Sequence, residues 1–211
     1  MARNTGPQCR LCRAESQKLF LKGERCYSGK CAIAMKRPAP GKGLKDRSKK
    51  KSNYAEQLRE KQKLKRIYGM LERQFKIFFY RAERMAGKTG ENLIVLLERR
   101  LDNVVFRMRF AASRNQARQL VSHGHVAING KKVTIASYIV KAGDTVAIRP
   151  NSQKLQIIKE SLKEFTRSGV VPWLEVDPDS IQGKLASYPK RSDVTDINDI
   201  HEQLIVELYS R

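Results

Sequence analysis

The chain has 211 residues, 40% hydrophobic and 30% charged, and its 43 Lys+Arg against 21 Asp+Glu leave a formal net charge of +22. That length allows one sizeable domain or two small ones, and that charge calls for a polyanion to lie against. The longest apolar run, Leu93–Leu97, falls far short of the roughly 20 residues that span a bilayer, and Met1–Cys9 lacks the apolar core of a secretory signal, so membrane-spanning and exported classes are excluded.

The charge is unevenly spread. Residues 1–51 carry a net +12, residues 52–92 +5, residues 93–150 +7 and residues 151–211 −2. A single basic run is usually a solvated face, but three consecutive segments of one sign point to nucleic acid. The late acids, from Glu175 to Glu207, suit a surface turned to protein or solvent.

All four cysteines fall within the first 31 residues, as Cys9-x2-Cys12-x13-Cys26-x4-Cys31. Two close pairs are what a tetrahedral thiolate site needs, each pair turning around one edge of an ion. Leu11, Leu19, Phe20 and Leu21 are a thin core for this segment, so metal binding would be folding energy. Disulfides suit exported chains and reduced structural thiols rarely take this pattern. Zinc is favoured, with an iron–sulfur cluster at the same cysteines as the alternative, and a site closed by four thiolates leaves no position for catalytic water.

Residues 35–51 combine two prolines, two glycines and clustered cations, ending in Lys49, Lys50 and Lys51, and are expected to lie extended along phosphates. Ser52 or Asn53 caps a helix carrying Leu58, Leu64, Ile67 and Tyr68; a second helix over Met70–Ala86 carries Leu71, Phe75, Phe78, Phe79 and Met85. That aromatic stripe has helical spacing and reads as core rather than a base-stacking platform. Gly87-Lys88-Thr89-Gly90 resembles part of a phosphate loop but lacks its upstream glycine and strand.

Asn92 is expected to cap the next helix, which buries Leu93, Leu96, Leu97, Leu101, Val104 and Val105 and leaves Arg99, Arg100, Arg107 and Arg109 projecting outward. Ser113 caps a short helix ending at Gly124, with Arg114 and Arg118 on one exposed face and Gln119 at its flank. Asn129-Gly130 predicts a hairpin with Lys131 and Lys132 at its turn; His123 and His125 beside it read as RNA-facing donors or, nearly as well, as structural histidines. Ile139-Val140 and Thr145–Ile148 read as strands, Ser152 to about Arg167 as a helix, and Trp173–Val176 and Lys184–Tyr188 as strands. A helix after Asp196 closes the chain. No Ser/His/Asp or Cys/His arrangement is spaced for catalysis.

The stretch LERRLDNVVFRMRFAASRNQARQLV, Leu97–Val121, followed by SHGHVAING, strongly resembles the RNA-binding module named after ribosomal protein S-four. With YAEQLREKQKLKRIYGMLERQF before it and GDTVAIR, VPWLEVD and the acidic last helix after it, essentially the whole chain is similar to the bacterial-type small-subunit ribosomal protein S-four family, in its four-cysteine branch. The resemblance implies an α+β protein: a metal-binding knuckle and basic linker at 1–44, a helical domain at 45–92 completed by about 176–211, and an inserted module at 93–175 of two helices and a small antiparallel sheet. It implies a primary binder of small-subunit rRNA that grips a multi-helix junction of the 5′ domain and nucleates assembly of the subunit body. Contact with ribosomal protein S-five and other small-subunit proteins, an influence on translational accuracy, and a place beside the path along which mRNA enters are implied too, all within cytoplasmic ribosomes. Carried onto this chain, the RNA face falls on Arg100, Arg107, Ser113, Arg114, Arg118, Gln119, His123, His125, Lys131 and Lys132. The same module occurs on RNA-modifying enzymes, but the roughly sixty residues after it are too few for a catalytic domain; a zinc-dependent DNA-binding regulator is the other rival.

Overall fold

A computed structural model describes residues 4–41, 52–163 and 169–210. Its helices are α1 (Gln8–Glu15), α2 (Asn53–Ile67), α3 (Glu72–Glu83), α4 (Thr89–Glu98), α5 (Leu101–Arg107), α6 (Arg114–Ser122), α7 (Gln156–Lys163) and α8 (Glu202–Tyr209). The strands are β1 (Val126–Ile128), β2 (Lys131–Lys132), β3 (Thr145–Ile148), β4 (Leu174–Asp177) and β5 (Gln182–Leu185). The chain divides into two compact units, Met1–Leu93 with Asp196–Arg211, and Ile94–Thr195.

In the first unit Ser52 caps α2, its hydroxyl accepting from the Ala55 N–H at 3.3 Å. Leu64, Ile67, Phe75, Phe78, Phe79 and Ala82 are buried, so the aromatic stripe of α3 is core. Tyr209 of α8 covers it, stacking on Phe79 at 4.4 Å and Phe75 at 6.4 Å between centroids. Polar ties hold the same seam: Gln57 Nε2 donates to Glu207 at 3.0 Å, and the His201 backbone N–H donates to Glu60 at 3.3 Å. The buried Glu15 carboxylate joins α1 to α2 through Arg59 and Arg66.

Asn92 does a different job from the expected one. Helix α4 starts three residues earlier, at Thr89, and the Asn92 side-chain amide points back to the carbonyls of Ala82, Met85 and Ala86 at 3.1–3.3 Å. A helix end leaves carbonyls without partners, and here a side chain on the next helix supplies the donor.

The second unit holds the sheet, antiparallel throughout with strand order β2-β1-β3-β5-β4. Asn129 and Gly130 have φ of 48° and 78°, the pair of left-handed conformations that a two-residue hairpin turn requires. Asn129 also accepts from the Thr145 N–H and donates to Asp144, both at 2.9 Å, which binds the turn to β3. Strand β5 pairs with both β3 and β4, so the sheet continues past residue 176, and the first unit resumes only at Asp196.

The helix expected to run through Arg100 is broken there. Arg100 forms an isolated bridge with Ile139, the Leu101 and Asp102 N–H groups donate to Tyr138 and Ala136 carbonyls at 2.8 and 3.1 Å, and the Val140 N–H donates to Arg99 at 2.9 Å. The first amides of α5 thus find partners in the 136–140 stretch, and Ile139-Val140, expected as a strand, contributes only that bridge. The helix expected from Ser152 begins as a 3-10 turn at Pro150–Ser152 and becomes regular at Gln156.

Candidate nucleic-acid interface

The junction of α4, α5 and α6 is a buried polar network. Arg107 grips Glu98 with two hydrogen bonds, at 2.8 and 2.9 Å, while Asn103 donates to both the backbone and the side chain of Glu98 at 3.0 and 2.9 Å. Arg114 extends the network from α6, its Nε donating to Asn103 Oδ1 at 2.8 Å and its guanidinium lying 4.6 Å from the centre of the Phe106 ring. Arg100 forms a second two-pronged pair, with Asp102, at 2.7 and 3.0 Å.

These contacts correct the sequence reading. Arg100 is 0% exposed, Arg107 7% and Arg118 4%, so none of the three projects outward. The Arg100 and Arg107 charges are answered inside the protein by carboxylates, and both side chains hold the helices rather than face a ligand. Arg114 and Arg118 do not share an exposed face either: Arg114 is half-buried and Arg118 buried. Ser113 uses its hydroxyl to accept from the Gln116 N–H at 3.3 Å, and the Gln116 side chain in turn accepts from the Ala112 N–H at 2.7 Å, so the start of α6 is capped from within.

The other expected residues remain at the surface. Gln119, His123, Lys131 and Lys132 are exposed and His125 is half-buried. The fold gathers His123, His125 and Lys132 around Gly124, which ends α6 with φ 78°. The Lys132 stem lies so close over Gly124 that a β-carbon there would meet its Cε at 2.3 Å. The imidazoles of His123 and His125 stand 6.1 Å apart, and His125 Nδ1 is 2.9 Å from Ser152 Oγ.

Arg149 joins them and was missed in the sequence. Pairing of β1 with β3 sets Val126 opposite Ile148, which brings the next residue to His125: the Arg149 N–H donates to the His125 carbonyl at 2.9 Å and its guanidinium to the Gly124 carbonyl at 3.3 Å. Only strand register reveals this neighbour, because 24 positions of sequence separate the two residues. Lys49, Lys50 and Lys51 lie outside the described residues.

In the four-cysteine segment Cys12, Cys26 and Cys31 are buried, Cys9 is half-buried, and none is in a disulfide. Backbone donors converge on the sulfurs: the Lys22 N–H reaches Cys26 Sγ at 3.3 Å, Leu19 serves Cys12, and Ala34 and Ile33 serve Cys31. Burial pushes the Cys12 thiol up, against the Leu19 hydrogen bond; at Cys31 burial is outweighed by the two amides with Lys18 and Arg25, and that thiol is lowered. Amide donors to sulfur stabilise the thiolate form, so the donor set fits a thiophilic ion. The positions of the side chains do not by themselves enclose one, since among the described residues no group of three or more His, Cys, Asp or Glu is arranged to hold a metal. No described helix is long and apolar enough to cross a membrane.

Comparison with known proteins adds two family matches, "Ribosomal protein S4/S9 N-terminal domain" over residues 3–98 and "S4 domain" over residues 99–146. Relatives that span the whole chain, and are themselves wholly covered, include the small ribosomal subunit protein uS4 of Geotalea daltonii at 57% identity. Those of Thermoanaerobacter sp. (strain X514) and Trichlorobacter lovleyi follow at 56% and 55%.

Proposed function

The chain belongs to the uS4 family of small ribosomal subunit proteins, and on that premise we propose that it is a primary binder of small-subunit rRNA. Family members are structural ribosomal components with RNA-binding domains, not enzymes, and this chain is one of them. In this reading it grips a multi-helix junction of the 5′ domain, nucleates assembly of the subunit body and acts in cytoplasmic ribosomes. It contacts ribosomal protein S-five and other small-subunit proteins, bears on translational accuracy through the S-five contact, and lies near the path along which mRNA enters.

The observation that carries the RNA reading is the convergence of Lys132, Arg149, His123 and His125 on Gly124, beside the exposed Lys131 and Gln119. A-form RNA is gripped by phosphate and shape, and long cationic side chains gathered over one backbone turn suit that task. Footprinting the purified protein on small-subunit rRNA, with affinity measured across a salt series, tests it. Protection should cluster at one multi-helix junction, and log affinity should fall linearly and steeply with log salt. A flat salt series, or stronger binding to duplex DNA or tRNA, would overturn the proposal.

We infer further that Cys9, Cys12, Cys26 and Cys31 hold a structural metal, zinc ahead of an iron–sulfur cluster. The N–H donors aimed at Cys12, Cys26 and Cys31 support this. Bound, the metal would supply a cross-link between α1 and the 23–31 stretch, in a segment whose buried apolar side chains are few. Metal analysis of the purified protein should find close to one zinc per chain; a broad visible absorption would assign the cluster instead, and no metal at all would refute the site.

A further inference from the structure

Phe20, expected in the thin core of the four-cysteine segment, instead stands at the surface and pairs there with Tyr27. Tyr27 is 73% exposed and Phe20 38% exposed, and their rings lie 5.2 Å apart with planes inclined at 32°. Burial does not explain them, because Leu19 and Leu21 beside Phe20 are the ones that turn inward.

The backbone that presents the pair is constrained. Phe20 has φ of 50°, the left-handed region that bulky side chains rarely enter. It lies two residues before Lys22, whose N–H is anchored on Cys26 Sγ at 3.3 Å. A strained aromatic held at the surface by the cysteine scaffold is a feature that packing alone would remove.

The surroundings select the partner. Between Lys18 and Cys31 the cations are Lys18, Lys22, Arg25 and Lys30, against the single acid Glu24. Lys22, Arg25 and Lys30 are exposed. An aromatic face rimmed by cations matches single-stranded nucleic acid, whose bases stack on rings while its phosphates meet lysines and arginines. An apolar contact with another protein would not call for so one-sided a rim.

We propose that Tyr27, backed by Phe20, is a stacking platform for an unpaired base of the ribosomal RNA, with Lys22, Arg25 and Lys30 on the adjoining phosphates. The proposal rests on the rRNA-binding reading and adds to it a second point of contact, distinct from the Gly124 cluster.

The test uses the full-length protein with purified small-subunit rRNA. Tyr27→Ala should weaken binding about tenfold, within the range that one stacked base contributes, and leave the salt slope unchanged because no cation is lost. Tyr27→Phe should bind within about twofold of the parent, since the ring is kept. Phe20→Asn removes the ring but tolerates the left-handed backbone, and should weaken binding like Tyr27→Ala. Unchanged limited proteolysis across residues 4–41 confirms that the segment stays folded, and ultraviolet cross-linking should join Tyr27 to a single-stranded nucleotide. If both ring-removing variants bind rRNA as the parent does while a Lys132→Glu, Arg149→Glu double variant does not, the platform is refuted and the rRNA reading stands. Normal rRNA binding together with loss of another small-subunit protein from reconstituted particles would make the pair a protein contact and also refute it. A parent protein indifferent to rRNA would remove both readings together.

Discussion

The junction of α4, α5 and α6 and the rim of Gly124 lie in the same unit and use the same residue types to opposite ends. At the junction, Arg107 on Glu98 and Arg100 on Asp102 are shut away from water, each guanidinium fixed by two hydrogen bonds to one carboxylate. At the rim, Lys132 and Arg149 gather against backbone, and no carboxylate among the described residues pairs with either. A basic side chain with an internal carboxylate partner builds the protein; one without such a partner, as at the Gly124 rim, is left available to the external anion of the proposed reading. The number of arginines in a stretch therefore says little about how many reach RNA, and the location of the acids says more.

The sharpest way to break this contrast is Glu98→Ala. It strands Arg107 in the interior and deprives Asn103 of its side-chain acceptor, and removing one partner of a buried pair costs about 3–5 kcal/mol. Denaturant unfolding should show that loss; a change below about 1 kcal/mol would mean the pair is solvated and the contrast false. Next in size is the double charge reversal Lys132→Glu, Arg149→Glu. It should lower rRNA affinity by at least about tenfold, in proportion to the phosphates it ceases to neutralise, while the unfolding midpoint moves little. Retained affinity would shift the RNA face elsewhere.

The smallest effect marks the weak end of the scale. Glu72 in the first unit meets Lys61 at 2.6 Å and Lys65 at 2.7 Å, with its side chain 46% exposed. Burial opposes its charged form, yet the bonds from the two lysines hold its carboxyl down at about 2, from a usual 4.5. Its contribution to stability is therefore present above about pH 4.5 and is lost as pH falls from there towards 2. Glu72→Gln should shallow that acid limb and cost no more than about 1 kcal/mol at neutral pH, because solvent screens the pair. An unaltered pH profile would show that the pair contributes nothing.

Much of the architecture was legible from residue spacing. The Ser52 and Ser113 caps, the Asn129-Gly130 turn, the strand at Thr145–Ile148 and the buried face of α3 all follow from local chemistry that the structure repeats. The break at Arg100 was not, because the amides of α5 are satisfied by a stretch some 35 residues further on, and helical periodicity carries no sign of it. The same break hid the interior arginines: Glu98 and Arg107 are nine residues apart, a spacing that places no pair together on a continuous helix. Arg149 stayed hidden for the complementary reason, since β-sheet register rather than sequence neighbourhood brings it to His125. Several residues that make the stretch from Leu97 to Val121 recognisable, Glu98, Arg100, Asp102, Asn103 and Arg107, turn out to be its internal fastenings.

The first unit is assembled from both ends of the chain, and the ring of Tyr209 is the lid on Phe75 and Phe79. During synthesis those phenylalanines leave the exit tunnel more than a hundred codons before their cover exists. At about 5–20 residues per second they stay uncapped for roughly five to thirty seconds, long enough for chaperones to find them. A message cut short between the codons of Leu185 and Glu202 would release a chain with its sheet already complete and a greasy aromatic ledge left bare.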